Sequence, residues 1–480
     1  MLVLSVASEA YPIIKTGGLA DVVGALPGAL SPHGVALITL MPGYPSVLRG
    51  LGSGEVIHTY KSLLGVKAKL VRYSDAAFDL IVLDAPALFS REGGPYNDTS
   101  GAEWADNWHR FAALGRVAAD LAGGLVPGLE FDLVHAHDWQ AATAAVYMRY
   151  GNARAQATPS ILTIHNLAFQ GRYDPGVFKS LDLPQDAFHI NGVEYYGGVG
   201  FLKGGMQCAS AITTVSPSYA REIRTAEFGM GLEGMINARS ASVRGIVNGI
   251  DVDVWNPQTD PHLASPFSAT KLADRAGNRA AIASQFDLTA SKGPLFCIVS
   301  RLTWQKGIDV LIDLFDEIVA MGAQLAILGA GDAALEAAVM AGAGRHQGQI
   351  GARIGYSESV SHLLQGGSDA ILVPSRFEPC GLTQIYGLRY GCVPIVARTG
   401  GLADTVIDAN EAALAAGVAT GFQFDGVTHD SFLDALRRAV TCFSHRKTWQ
   451  MLQKNAMKAD FSWTRSGLRY AELYRDLVVR

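Results

Sequence analysis

Residues 15–23 read KTGGLADVV, and residues 398–406 read RTGGLADTV. Each copy of TGGLAD follows a short apolar run, LVLSVA at 2–7 and CVPIVA at 392–397, and each leads into a helical pattern. A Gly-Gly step between a buried strand and a helix is the turn of a strand–loop–helix unit, and it presents backbone N–H groups and a helix dipole to an anion. Tight packing of helix on strand is the plainer explanation of any one such turn. The flanking sequences differ, so the repeat does not mark a duplicated domain.

The same alternation extends outward from both copies. Apolar runs at 35–44, FDLIVLDAP, FDLVHAHDW, SILTIHN and AITTVS are short, β-rich and separated by helical patterns. Periodicity lapses over VNGIDVDVWNPQTDPHLASPF at 247–267, where Asn, Gly, Asp and Pro dominate as in a linker. It resumes with PLFCIVS, QLAILGAG, DAILVPS and CVPIVA. The pattern predicts two doubly wound parallel sheets. GAGDAA at 329–334 is only a fragment of a dinucleotide-binding fingerprint and reads as a strand-to-helix turn. The closing amphipathic helix offers Leu468, Leu473 and Leu477 to a core.

Composition narrows the function. The 480 residues are 49% hydrophobic and 17% charged, as in a well-buried enzyme, and the net charge of −5 argues against a nucleic-acid partner. Five scattered cysteines, with no metal-binding spacing, fit reduced thiols in the cytoplasm. No apolar run is long enough to span a bilayer, and MLVLSVASEA reads as a first strand and not a signal peptide.

Ligands of doubly wound sheets bind beyond the carboxyl ends of the strands. Three stretches there carry the chemistry. Lys15 precedes the first Gly-rich turn. Arg301 and Lys306 in VSRLTWQKGID (299–309) follow a buried strand and suit a diphosphate leaving group. In PSRFEPCGLTQIYGL (374–388), Glu378 can accept hydrogen bonds from sugar hydroxyls, and Gly381, Leu382 and Thr383 open a helix whose amides can meet phosphate. The plainer readings are a solvated lysine, helix-capping charges and, for Cys380, a packing residue.

KTGGLADVVGALP, HAHDWQ, TIHN, NGID, SRLTWQKG, SRFEPCGLTQ and RTGGLADTV, in this order over nearly the whole chain, resemble the bacterial glycogen synthases. The resemblance implies the GT-B architecture: two Rossmann-like domains facing a cleft. Expected boundaries are 1–245 for the acceptor-side domain, 246–457 for the nucleotide-sugar domain, and 458–480 for a helix crossing back to the first. It implies transfer of glucose from ADP-glucose to an α-1,4-glucan such as glycogen, with retention of configuration.

It also implies roles. Lys15, Gly17 and Gly18 would hold the donor's phosphate end. Arg301 and Lys306 would stabilise departing ADP. Glu378 would hold the glucosyl hydroxyls, with Cys380, Gly381, Leu382 and Thr383 lining sugar and phosphate. Asn248 resembles a donor-site residue, and Tyr356 the residue against the adenine. Asp21 and Asp138 match positions near the reacting sugar, and His165 a residue beside the anomeric carbon. Trp139 is the expected stacking platform for the glucan. No metal or other cofactor is expected, because the two cations replace Mg²⁺ at the diphosphate. Domain closure on donor binding, hinged near 245–260 and near the C-terminal crossover, would exclude water. The rival readings are another GT-B transferase or phosphorylase and a non-catalytic glucan-binding protein.

Overall fold

The computed structural model describes residues 1–74 and 78–479. The chain forms two units, one of 1–249 with 463–480, the other of 250–462. In chain terms the second is inserted within the first.

The first unit contains β1 (Leu2–Val6), β2 (Ala36–Pro42), β3 (Glu55–Leu63), β4 (Val66–Ser74), β5 (Asp79–Asp84), β6 (Leu133–His137), β7 (Ser160–Ile164), β8 (Arg172–Tyr173), β9 (Glu194–Tyr195), β10 (Gly198–Gly200), β11 (Ala211–Thr214) and β12 (Val243–Gly245). Nine of them form one sheet in the order β12-β11-β7-β6-β1-β2-β5-β4-β3. Its strands are parallel except at β3–β4 and β4–β5. β8, β10 and β9 make a separate small antiparallel sheet. The central strands β6 and β7 are buried at every residue, because helices cover both faces of a parallel sheet. The chain reverses its direction of winding between β1 and β6, which makes their carboxyl ends a topological switch point.

The second unit contains β13 (Leu295–Val299), β14 (Gln324–Gly329), β15 (Ile350–Ile354), β16 (Ala370–Val373), β17 (Val393–Ala397) and β18 (Phe422–Phe424). Their order is β15-β14-β13-β16-β17-β18, with every pair parallel. Its switch point lies between β13 and β16.

Three expectations need correction. The second unit begins at Ile250 and ends at Ser462, not at 246 and 457. The helix Arg446–Lys458 runs through the expected tail boundary and buries Trp449, Leu452 and Ala456 in the second unit. The aperiodic stretch 247–267 is not a free linker beyond Ile250. Trp255 is buried there, stacked 3.7 Å from His362 and 3.6 Å from Tyr386. The tail helix Trp463–Val478 packs in the first unit through buried Tyr470, Leu473 and Tyr474, and Leu468 faces solvent. Gly467 permits the contact, since a Cβ there would lie 2.4 Å from the Ala29 carbonyl.

Candidate functional site

In the first unit the loop after β1 carries Lys15, Gly17 and Gly18. It runs into the helix Gly18–Leu30, whose N-terminus has no side-chain cap. Gly17 and Gly18 are exposed, and a Cβ on Gly17 would meet nothing within 4 Å. The turn is therefore open, with amides available to a ligand. The Lys15 ammonium donates to the Asp21 carboxylate at 2.8 Å, so Asp21 orients the cation.

A buried carboxylate holds this loop. Glu9 accepts from the Thr16 backbone N–H, from the Thr16 hydroxyl at 2.7 Å and from the Tyr96 hydroxyl. Neither Glu9 nor this role of Tyr96 was expected. The signal was in VASEAYP: a carboxylate at the end of a buried strand must be hydrogen-bonded.

β6 ends in His135 and His137, and Asp138 follows in a left-handed conformation with φ of 56°. Its Oδ1 accepts the His165 backbone N–H at 2.6 Å, clasping the loop after β7 to the loop after β6. Burial pushes this carboxyl up to about 7, against the pull of the His165 and Asn166 N–H groups. His165 Nε2 and His137 Nδ1 share a hydrogen bond of 3.1 Å, and the rings of His135 and His137 lie 4.1 Å apart. Burial lowers His165 and His135 to about 3 and His137 well below its ordinary value, so the cluster is neutral. Beyond β12, Asn248 is buried and its Oδ1 has no partner among the described residues.

Trp139 is not a surface platform. Its indole is buried between Phe111 at 5.0 Å and Tyr173 at 6.2 Å. The helix Asp138–Arg149 is buried at nearly every position, so the residue after Asp138 turns into the core.

In the second unit Arg301 and Lys306 follow β13, and Glu378 follows β16, on the two sides of the switch point. The Lys306 ammonium donates to Glu378 Oε2, which also accepts the Ser375 hydroxyl at 2.8 Å. Arg376 grips Asp309 with two bonds of 2.7 Å, and the Arg376 N–H donates to the Gln305 carbonyl at 2.8 Å. These staple the TWQKG turn to the SRFEPC loop. Gly307, with φ of 67°, completes the turn, because a Cβ there would fall 2.0 Å from the Pro374 carbonyl. Arg301 is exposed.

The loop continues into the uncapped helix Thr383–Tyr390. Cys380 is buried, whereas Gly381, Leu382 and Thr383 are half-buried. The Gln384 side chain donates to the Cys380 and Gly381 carbonyls at 3.0 and 2.9 Å, fixing the turn. Tyr356, expected against a purine, is exposed after β15 and its hydroxyl reaches Glu358 at 3.4 Å. The second TGGLAD does not mirror the first. Gly400 and Gly401 are buried under the Glu378–Cys380 backbone, and the Gly401 N–H donates to the Glu378 carbonyl at 3.0 Å. This copy supports the Glu378 loop from beneath, where the first leaves its glycines open.

Each switch point thus pairs a cation with hydrogen-bonding backbone, the equipment for a phosphorylated ligand. The chain has known relatives. Residues 2–238 match the starch synthase catalytic domain, and residues 282–458 match the glycosyl transferases group 1. A glycogen synthase of Novosphingobium aromaticivorans is 60% identical over 477 residues, covering 99% of this chain and 98% of that protein. One from Rhizobium rhizogenes is 58% identical over the full length of both. Among solved structures, the catalytic domain of starch synthase IV from Arabidopsis thaliana, bound to ADP and acarbose, superposes with a TM-score of 0.88 at 30% identity, covering 100% of this chain and 99% of that one.

Proposed function

This chain belongs to the glycogen synthases, and from that membership we propose how its residues carry the reaction. It transfers glucose from ADP-glucose to the 4-hydroxyl at the non-reducing end of an α-1,4-glucan, with retention, and releases ADP. The observation that carries this reading is the full-length identity of 60% together with the Lys306–Glu378 pair at the switch point of the second unit.

Arg301 and Lys306 bind the diphosphate and offset charge as the glycosidic bond to ADP breaks. Glu378, held by Lys306 and Ser375, accepts hydrogen bonds from the glucosyl hydroxyls. In the first unit Lys15, oriented by Asp21, and the open Gly17–Gly18 turn hold the donor's phosphate end. His165, neutral and fixed by Asp138 and His137, offers one ring nitrogen to the sugar without adding charge.

Retention by double displacement requires two carboxylates about 5 Å apart. The side-chain partners of Glu378 are a lysine and a serine, so a front-face route is favoured. The bond to ADP loosens first. The acceptor hydroxyl then enters from the same side, and the departing phosphate takes its proton. Lysine and arginine serve the diphosphate without a divalent ion, and an undiminished rate in EDTA is the expected result. Among the described residues no helix is long and apolar enough to cross a membrane. The five cysteines stand as thiols, which suits the cytoplasm. The net charge of −5 gives no reason to add a nucleic-acid partner.

The decisive test is ADP release from ADP-glucose with and without glycogen, with UDP-glucose in parallel. Release that depends on glycogen and lengthens the glucan is expected. Release without acceptor would indicate a hydrolase, and no release would favour a binding protein.

A further inference from the structure

The second unit holds a cavity of about 370 Å³ that the transfer chemistry does not use. Asp369 lines it and directly precedes β16, whereas Glu378 follows the other end of that strand. The cavity therefore lies at the end of the sheet opposite the Lys306–Glu378 pair. All of its walls belong to the second unit. The volume is that of a small-molecule site.

Two helical starts meet there. A tight turn, Leu272–Asp274, passes into the helix Arg275–Gln285, and Leu272, Ala273 and Arg275 line the cavity. The helix Arg446–Lys458 contributes Arg446, Trp449, Gln450 and Gln453, a stripe along one face that begins at its first residue. Neither start has a side-chain cap, so each leaves first-turn N–H groups and the positive end of a dipole beside the cavity.

The walls carry three guanidinium groups, Arg275, Arg279 and Arg446, against one carboxylate, Asp369, in a chain whose net charge is −5. Two of the three also serve the fold. Arg279 pairs with Asp369 and donates to the Gly293 carbonyl at 2.7 Å. Arg275 donates through Nε and Nη2 to the carbonyls of Gly366, Gln365 and Ser368, while its Nη1 donates to none of the described residues. Arg446 serves no such purpose. It is exposed, makes no ion pair among the described residues, and stands at a helix start, where the dipole disfavours a cation. Trp449 on the same wall is buried, and its indole N–H has no partner among the described residues. A buried donor left unpaired is costly unless an occupant accepts from it.

We propose that this cavity binds a small phosphate monoester, at a site separate from the donor's and built by the second unit alone. With Asp369 answered by Arg279, two cations are left without a counter-charge. A phosphate monoester near neutrality is close to a dianion, and its phosphate oxygens are acceptors. It therefore matches both the charge surplus and a lining of donors: Arg446, Arg275 Nη1, the Trp449 indole and the helix-start amides. A single carboxylate would leave one cation unanswered. Phe443 and Trp449 give the cavity an aromatic wall, which suits an ester with a flat or apolar body better than the free ion. The inference does not depend on the synthase reading.

Isothermal titration of the parent with AMP and with inorganic phosphate, at saturating ADP so that the donor site is filled, tests this. Both should bind, AMP the more tightly. Arg446→Gln, at an exposed position outside the transfer machinery, should weaken both roughly tenfold or more, as for loss of one charged partner, with kcat and melting midpoint unmoved. Lys447→Gln changes the next residue, which does not line the cavity, and should bind as the parent does. No binding of either probe, or binding that Arg446→Gln leaves intact, would overturn the site. An equal loss in Lys447→Gln would also overturn it, by reducing the effect to general surface charge. Phosphate binding as tightly as AMP would overturn the ester. A parent that releases no ADP from ADP-glucose would sink the synthase reading, while the difference between the two variants still reports on the cavity.

Discussion

Gly400 lies so close to Glu378 that a Cβ built on it would come within 1.9 Å of the Glu378 carbonyl oxygen. The second TGGLAD is thus a mould for the loop that carries Glu378. Gly400 also has a φ of 44°. Gly400→Ala should cost about 2 kcal/mol or more in stability and lower turnover with it. Gly17→Ala, with open space around it, should melt like the parent, so any rise in its KM for ADP-glucose reports on the ligand. Calorimetry and kinetics on the two variants separate mould from contact.

Lys306 meets the Glu378 carboxylate, and both are largely buried. Lys306→Ala and Arg301→Ala should each lower kcat by roughly 10² to 10³. Near-normal turnover in either would remove that residue from leaving-group stabilisation. Glu378→Gln keeps the shape and loses the charge, so its defect should appear mainly in kcat, measured at saturating ADP-glucose.

Asp138 sets a pH dependence of stability. Its folded value, about 7, lies above the ordinary carboxylate value of about 3.9, so the folded chain binds the extra proton between them. This contribution is complete below about 3.9 and is lost as pH rises to about 7. The histidines act oppositely. His135 and His165, lowered to about 3, favour folding above the ordinary value of about 6.5 and lose that as pH falls. Asp138→Asn should therefore gain stability relative to the parent as pH rises toward neutrality, measured by denaturant melts across the range. A difference independent of pH would refute the assignment.

Trp139→Ala should behave as a core deletion. The expected cost is about 3–5 kcal/mol, read as a lowered melting point. A surface platform would instead raise the KM for glucan at unchanged stability.

Much of this was legible in the sequence, for identifiable reasons. Fully buried parallel strands such as β6 and β7 write themselves as unbroken apolar runs, and polar residues at their ends mark the switch points. β3 and β4 were not legible: they are antiparallel, with partly exposed faces, and offer only a weak alternation. The cations of SRLTWQKG lie close together in sequence and could be read as a pair. The clasps could not. Glu9 meets Tyr96, Asp138 meets His165 and Arg376 meets Asp309 across separations of 87, 27 and 67 residues. Trp139 misled because adjacency to Asp138 says nothing about which side of a helix a residue takes.

The insertion of the second unit within the first has a consequence for biosynthesis. The first unit's sheet is made early, but its surface around His135 is closed by Tyr474, whose hydroxyl reaches the ring at 2.7 Å from the last helix of the chain. Until the ribosome has delivered that helix, the first half must wait with an apolar seam open to water while the second unit folds. A nonsense codon ahead of Trp463 would thus injure the beginning of the protein, and a chaperone would find its substrate there.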